Sequence, residues 1–338
     1  MSSFTEPINK TDDIPSLPSQ HSAFHYTNGL ITKENLSIAI PRSIKLSSAT
    51  KQLGSNQDWV SSGSNDHFHW LVVLDGHGKG NVLNKLSLLD WNALLIEFKD
   101  DVNSMITHIN KEHLIFNKNT GKRYNHFRDG STCSIVKIYP GYIECHTVGD
   151  SQVGIMINNK DCYFTTNHDS TNMSEIDRLK PEGVITSDTW KHHIINDTDL
   201  TMIHGKYFHF NHPTKDIVDK LAMSRALGHN IGTIFPISQT LETFRIDYTK
   251  NDSIIIIAAT DGLWDIVYDK ELILKKFYHD TNDELYKTNK STDMPVNNLI
   301  THAENMWTQK WNVLYEGDVS ISQFPNPDDI GIACISII

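Results

Sequence analysis

The chain has 338 residues, 41 Asp plus Glu against 30 Lys plus Arg, a formal charge of −11, and 38% hydrophobic residues. That supplies enough apolar material for a sizeable core, and the negative balance argues against broad binding to nucleic acid or to an anionic membrane. No apolar run approaches the roughly 20 residues a spanning helix needs. The start, MSSFTEPINKTDDIPSLPSQ, lacks the basic and apolar regions of a signal peptide, so the expected location is cytoplasmic, the nucleus remaining open. Cys133, Cys145, Cys162 and Cys334 show no C-x-x-C spacing and read as reduced core thiols.

Residues 1–21 are polar, carry Pro7, Pro15 and Pro18, and read as a flexible arm ahead of a single domain over 22–338. Trp70 to Leu74 is a continuous apolar run that fits a buried strand and ends at Asp75-Gly76-His77-Gly78. Helical stripes follow at Leu86, Leu89, Ala93 and Ile96, then at Val102, Met105, Ile106 and Ile109. The period then changes to two. Residues 134–139, 142–148, 152–157 and 161–164 read as an antiparallel meander. A histidine-rich stretch at about 187–219, with His192, His193, His204, His209 and His212, breaks that rhythm and reads as an insertion or flap. Ile254 to Ala259 is a second buried strand, running into Thr260-Asp261-Gly262. Helices are expected around 271–278 and 296–311, and Ile330 to Ile338 reads as a last strand. Strands clustered in runs, with helices grouped apart, give an α+β chain with antiparallel sheets.

Two apolar strands thus deliver Asp-Gly at their ends. A strand end fixes a carboxylate, and the glycine lets backbone approach an ion and offer its carbonyl as a further hard oxygen ligand. Together with Asp58, Asp150, Asp265 and Asp328-Asp329, these aspartates at element ends suit Mg²⁺ or Mn²⁺.

The ordered motifs are Gly54 to Asp58, Asp75-Gly76-His77-Gly78, Gly130-Ser131-Thr132, Gly149-Asp150-Ser151, Ser224-Arg225-Ala226-Leu227-Gly228, Thr260 to Asp265 and Asp328-Asp329-Ile330. This set resembles the metal-dependent serine/threonine protein phosphatases of the type 2C class. The resemblance implies a sandwich of two antiparallel β-sheets flanked by helices. It also implies two Mn²⁺ or Mg²⁺ ions that generate a bridging hydroxide to attack phosphoserine or phosphothreonine in a phosphorylated protein substrate. By motif position, Asp75 would bridge both ions, the Gly76 carbonyl would bind one, and Asp261 and Asp328 would complete the other. Asp58 would act behind them or through water, Asp150 and Asp265 would hold a weaker third ion, and His77 would protonate the leaving group. The expected state is a monomer without nucleic-acid or membrane partners.

The pattern has departures. Leu53 stands where the resemblance implies an arginine for the substrate phosphate, which leaves Lys51 or Arg42 as candidates. Gln57, Asp329, His229 and Asn167 also differ from the usual residues. Leu53 and these altered neighbours motivate the alternative of a weak or silent pseudophosphatase that binds a phosphorylated partner.

Overall fold

The computed structural model describes residues 44–337 apart from 115–128, 188–189, 196–198, 205–206, 212–217, 230–235, 268, 283–293, 316–317 and 323–326. Every described residue belongs to a compact unit from Ile38 to Ile338, so the expected arm lies outside the described residues.

The described chain enters on β1 (Ile44–Lys51), β2 (Asp58–Ser64) and β3 (His69–His77), then three helices, α1 (Asn81–Leu86), α2 (Trp91–Glu97) and α3 (Val102–Glu112). After β4 (Gly130–Ser131) come β5 (Cys133–Tyr139), β6 (Tyr142–Val148), β7 (Gln152–Ile157) and β8 (Asp161–Phe164). Helix α4 (Met173–Leu179) leads to β9 (Ile185–Ser187), β10 (Trp190–Ile195), β11 (Asp199–His204), β12 (Tyr207–Asn211), β13 (Val218–Leu221) and β14 (Leu227–Gly228). There follow β15 (Glu242–Asp247), β16 (Ile254–Ala259), α5 (Asp261–Trp264), α6 (Lys270–Asn282) and α7 (Met294–Thr308). A hairpin of β17 (Trp311–Tyr315) and β18 (Asp318–Ser322) precedes β19 (Ile330–Ile337).

Two antiparallel sheets carry the core, one ordered β1-β19-β16-β7-β8, the other β14-β4-β3-β5-β6-β15 with β2 paired to β3. The period of two explains how the apolar runs are used, since alternate residues of a strand face opposite sides. Ile254, Ile256 and Ala258 meet Leu71, Val73 and Val136 between the sheets. Ile255, Ile257 and Ala259 turn the other way, onto Leu274, Phe277 and Leu299 of α6 and α7. On the opposite flank Val72 and Leu74 pack against Leu86, Leu95, Met105 and Ile109 of α1, α2 and α3. Helix, sheet, sheet and helix stack in that order, as expected.

Three expectations need correction. The first helical stripe is split: Asp90 accepts a hydrogen bond from the Ala93 backbone and caps a new helix, so Ala93 and Ile96 face solvent while Trp91, Leu94 and Leu95 are buried. The four meander strands form two hairpins in different sheets, with Gly149-Asp150-Ser151 crossing between them. The flap stretch is largely strand. β10 and β11 join β17 and β18 in a four-stranded sheet, while β9, β12 and β13 form a three-stranded one. Cys133, Cys145 and Cys334 are buried free thiols and Cys162 is half-buried.

Candidate metal centre

The acidic residues come together because strand register puts their element ends side by side. Asp58 opens β2 directly opposite Asp75 near the end of β3. Ala259 pairs with Ile332, which sets Thr260 and Asp261 beside the segment entering β19, where Asp328 lies. The Thr260 backbone donates to the Gly331 carbonyl at 3.0 Å, and the Gly331 backbone donates to Thr260 Oγ1 at 3.0 Å. Asp150 reaches the same end through the crossover between sheets. There the Thr132 backbone donates to the Asp75 carbonyl at 2.8 Å, the Asp75 backbone donates to Thr132 Oγ1 at 3.0 Å, and that hydroxyl bonds Ser151 Oγ at 2.6 Å. These contacts explain the Gly-Ser-Thr and Gly-Asp-Ser motifs as fasteners between sheets. Gly149 takes φ +99°, and a Cβ there would lie 2.6 Å from the Thr132 side chain.

Asp75, Gly76, His77, Asp261 and Asp328 share one cleft of about 590 Å³, along with Gln57, Tyr207 and Lys220. Asp58 faces a separate hollow behind β2, and its Oδ2 accepts from Thr260 Oγ1 at 2.7 Å. Asp150 is buried, with Oδ1 lacking any hydrogen-bond partner, whereas Asp265 is exposed at the end of α5. Lys51 pairs with Glu304 at 2.8 Å and does not line the cleft. Arg42 lies outside the described residues.

Burial, followed by repulsion from Asp261, Asp58, Asp150 and Asp328, pushes the Asp75 carboxyl well above the ordinary carboxylate range. Burial and then Asp265 push Asp261 up to about 7, and burial and then Asp261 do the same to Asp328. Asp58 and Asp150 are raised well above their usual values, again by burial first. At an effective dielectric of about 20, two charges ~4 Å apart repel by about 4 kcal/mol. A hydrogen bond returns about 1 kcal/mol, so the Thr260 hydroxyl cannot balance the cluster. Divalent cations would. The donors are hard oxygens, and the orphaned Asp150 oxygen awaits a partner, so the chemistry fits Mg²⁺ or Mn²⁺. Among the described residues no three side chains of ligand type converge enough to hold an ion unaided. Backbone carbonyl and water would therefore complete any shell.

His77 faces a second imidazole. Its Nε2 lies 2.5 Å from His229 Nε2, and the rings stack with centroids 4.7 Å apart at 28°. A Cβ on Gly130 would sit 2.4 Å from both Nε2 atoms, so glycine is required there. His77 Nδ1 is buried without a hydrogen-bond partner, which assigns the shared hydrogen to His77 Nε2, because an unpaired acceptor is the cheaper loss than an unpaired donor. Burial, then His229, lowers the His77 pKa well below its ordinary value.

Asp329 has a role that the sequence reading missed. Its buried carboxylate accepts from the backbones of Leu53 and Gly54 at 2.8 and 2.7 Å with Oδ1, and from Gln57 at 2.8 Å with Oδ2. Asparagine would lose the last bond, since its amide nitrogen cannot accept. The Gln57 carbonyl in turn accepts from the Gly76 backbone at 2.6 Å. A Cβ on Gly262 would meet the Asp329 carbonyl at 1.8 Å, so this glycine serves close chain approach rather than an ion. Arg225 is absorbed structurally, bonding the buried Glu175 together with Ser224 and Arg178.

The fold is thus a four-layered sandwich with carboxylates gathered at one end of its two sheets. The protein phosphatase 2C profile matches residues 45–299, and the chain belongs to that family. Probable protein phosphatase 2C 78 of Arabidopsis thaliana is 26% identical over 217 residues, 60% of this chain and 46% of that relative. Protein phosphatase 1A of Bos taurus is 26% identical over 157 residues, 45% of this chain and 35% of that protein. The match thus spans less than half of either relative. Among solved structures, serine-threonine phosphatase 2C from Toxoplasma gondii superposes with a TM-score of 0.56 at 15% identity, over 88% of this chain and 97% of that one. A C. elegans sex determining protein gives 0.58 at 14%, over 88% and 65%. Both likenesses concern the fold.

Proposed function

We propose that this chain hydrolyses phosphoserine and phosphothreonine in proteins, using two Mn²⁺ or Mg²⁺ ions. One observation carries the reading: three carboxylates from three distant segments, Asp75, Asp261 and Asp328, line one cleft with Gly76 and His77. Family membership supports the same class of reaction.

Asp75, the Gly76 carbonyl, Asp261 and Asp328 would hold the two ions, with Asp150 and Asp265 offering a weaker third position. Bound there, the ions would supply a water of lowered pKa and positive charge for the phosphoryl oxygens. Asp58 holds the strand ends in place through Thr260. His77 lines the cleft with His229 stacked on its ring, and would have to turn the hydrogen on Nε2 from His229 to the serine or threonine oxygen to protonate it as it leaves. Gln57 orients the cleft wall, its Nε2 donating to the Gly78 carbonyl at 3.1 Å. The catalytic domain would run from about residue 22, with the strands at 187–219 as its flap.

Initial rates on a phosphothreonine peptide with Mn²⁺, Mg²⁺ or chelator test this. Turnover that requires added metal supports it. Stoichiometric phosphopeptide binding without turnover supports the silent alternative, for which Leu53, packed at the rim of the core, is the motive.

A further inference from the structure

A phosphate monoester entering this cleft carries up to two negative charges into a wall of carboxylates. Ions held by those carboxylates would offset the wall and attract the phosphoryl oxygens, and a protein cation lining the cleft would add a further contact that fixes their approach. Neither cation suggested by sequence is shown to supply it. Lys51 is engaged by Glu304 at 2.8 Å, and Arg42 lies outside the described residues. Leu53, at the arginine position, packs its side chain against the core.

Among the described residues lining the cleft, Lys220 carries the one Lys or Arg side chain. Its placement is built into the fold. β13 pairs with β12 so that Leu221 is opposite Phe208 and Lys220 is opposite His209. Phe208 is fully buried and packs with Leu179, Met223, Ala226 and Ile237, and Leu221 joins that cluster. Alternation then turns Lys220 and Tyr207 to the other face. Both line the cleft, and Tyr207 is 42% exposed. Lys220 is exposed and has a long, flexible stem, and among the described residues no carboxylate is paired with it, so its ammonium can reach toward a phosphoryl group.

We propose that Lys220 is the substrate-phosphate-binding residue of this chain, a point charge delivered from the flap-side strand β13 in place of an arginine fork from the β1–β2 side. The inference rests on the phosphatase reading above. A single ammonium lacks bidentate geometry, so the contact is electrostatic, sensitive to salt, and felt in ground-state binding more than in the chemical step.

The test uses the full chain, loaded with Mn²⁺, as wild type, Lys220→Met and Lys220→Arg. Substrates are a phosphothreonine peptide and para-nitrophenyl phosphate, and inorganic phosphate serves as inhibitor. Calorimetric titration of inorganic phosphate into the Mg²⁺-loaded protein gives a readout independent of turnover. Lys220→Met should raise KM for both substrates, and Ki and Kd for phosphate, by about tenfold, with kcat changed less than KM. Lys220→Arg should restore most of the loss, and the salt dependence of KM should flatten in the methionine variant. Circular dichroism matching wild type establishes that the surface substitution leaves the fold intact. Unchanged Ki and Kd for phosphate in a folded, metal-loaded Lys220→Met would overturn the assignment, as would a KM increase confined to the peptide. A wild type without metal-dependent turnover would instead remove the phosphatase reading itself.

Discussion

Thr260 Oγ1 donates to Asp58 Oδ2 at 2.7 Å across 202 positions of sequence. The same oxygen accepts from the Gly331 backbone at 3.0 Å. One hydroxyl, with one proton and two lone pairs, thus fastens the start of β2, the end of β16 and the start of β19, the three places that carry Asp58, Asp261 and Asp328.

Thr260→Val keeps the shape and removes the hydroxyl. It leaves the Gly331 amide and the Asp58 carboxyl unsatisfied, a cost of about 1–3 kcal/mol for each buried group. The variant should melt several degrees below wild type and bind Mn²⁺ more weakly, while Thr260→Ser should recover most of both. Superimposable melting curves for wild type and valine variant would show that the hydroxyl holds nothing.

The raised carboxyls of Asp261 and Asp328, both near 7, make the ion-free chain sensitive to pH. In the unfolded chain these groups lose their protons near pH 4. Between about pH 4 and 7 the folded state therefore holds more protons, and its stability falls as pH rises. Divalent ions reverse the repulsion, and do so best where no proton has to be displaced. The Tm gain on adding Mn²⁺ should be larger at pH 7.5 than at pH 5. Asp75→Asn should abolish turnover yet leave the ion-free protein more stable than wild type at pH 7.5. An ion-free Asp75→Asn that melts lower would count against electrostatic crowding.

Glu175 behaves oppositely. Burial pushes its carboxyl up, but hydrogen bonds from Arg225, Ser224 and Arg178 outweigh burial and carry it down to about 2. Its folded pKa lies below the unfolded value, so its stabilisation is present above about pH 4.5 and is lost as pH falls toward 2. Glu175→Gln leaves two arginines without their carboxylate and should cost about 3 kcal/mol at pH 7. Urea midpoints of wild type and variant should converge between pH 4.5 and 2. A gap that stays constant through that range would mean the carboxylate charge is immaterial.

What the sequence makes legible is set by periodicity and by punctuation. The isoleucines of 254–257 and the run at 70–74 show buried strands because both faces are apolar, and Asp-Gly marks where each strand stops. The motif aspartates could be recognised, and Asp75, Asp261 and Asp328 do share a cleft. Less visible was whatever depends on distant partners. A hairpin pattern does not say which sheet it joins, so the crossover at Asp150 was hidden inside a meander. Local charge favoured Lys51, but Glu304 takes it up. Lys220 gave only the alternation of Lys220 with Leu221, a weak signal in a histidine-rich stretch. Asp329 looked like surplus negative charge beside Asp328, because three backbone donors that satisfy it come from 272 or more positions away.

β19, far along the chain, is not an edge. It lies between β1 and β16, pairing with each along its length, and its entry segment brings Asp328 to the cleft. A polypeptide stalled during translation before residue 330 would therefore lack an inner ladder of its sheet, leaving β1 and β16 without the neighbour that joins them. Closure of that sheet and delivery of Asp328 to the cleft therefore depend on the same segment, so whatever loosens β19 loosens both at once.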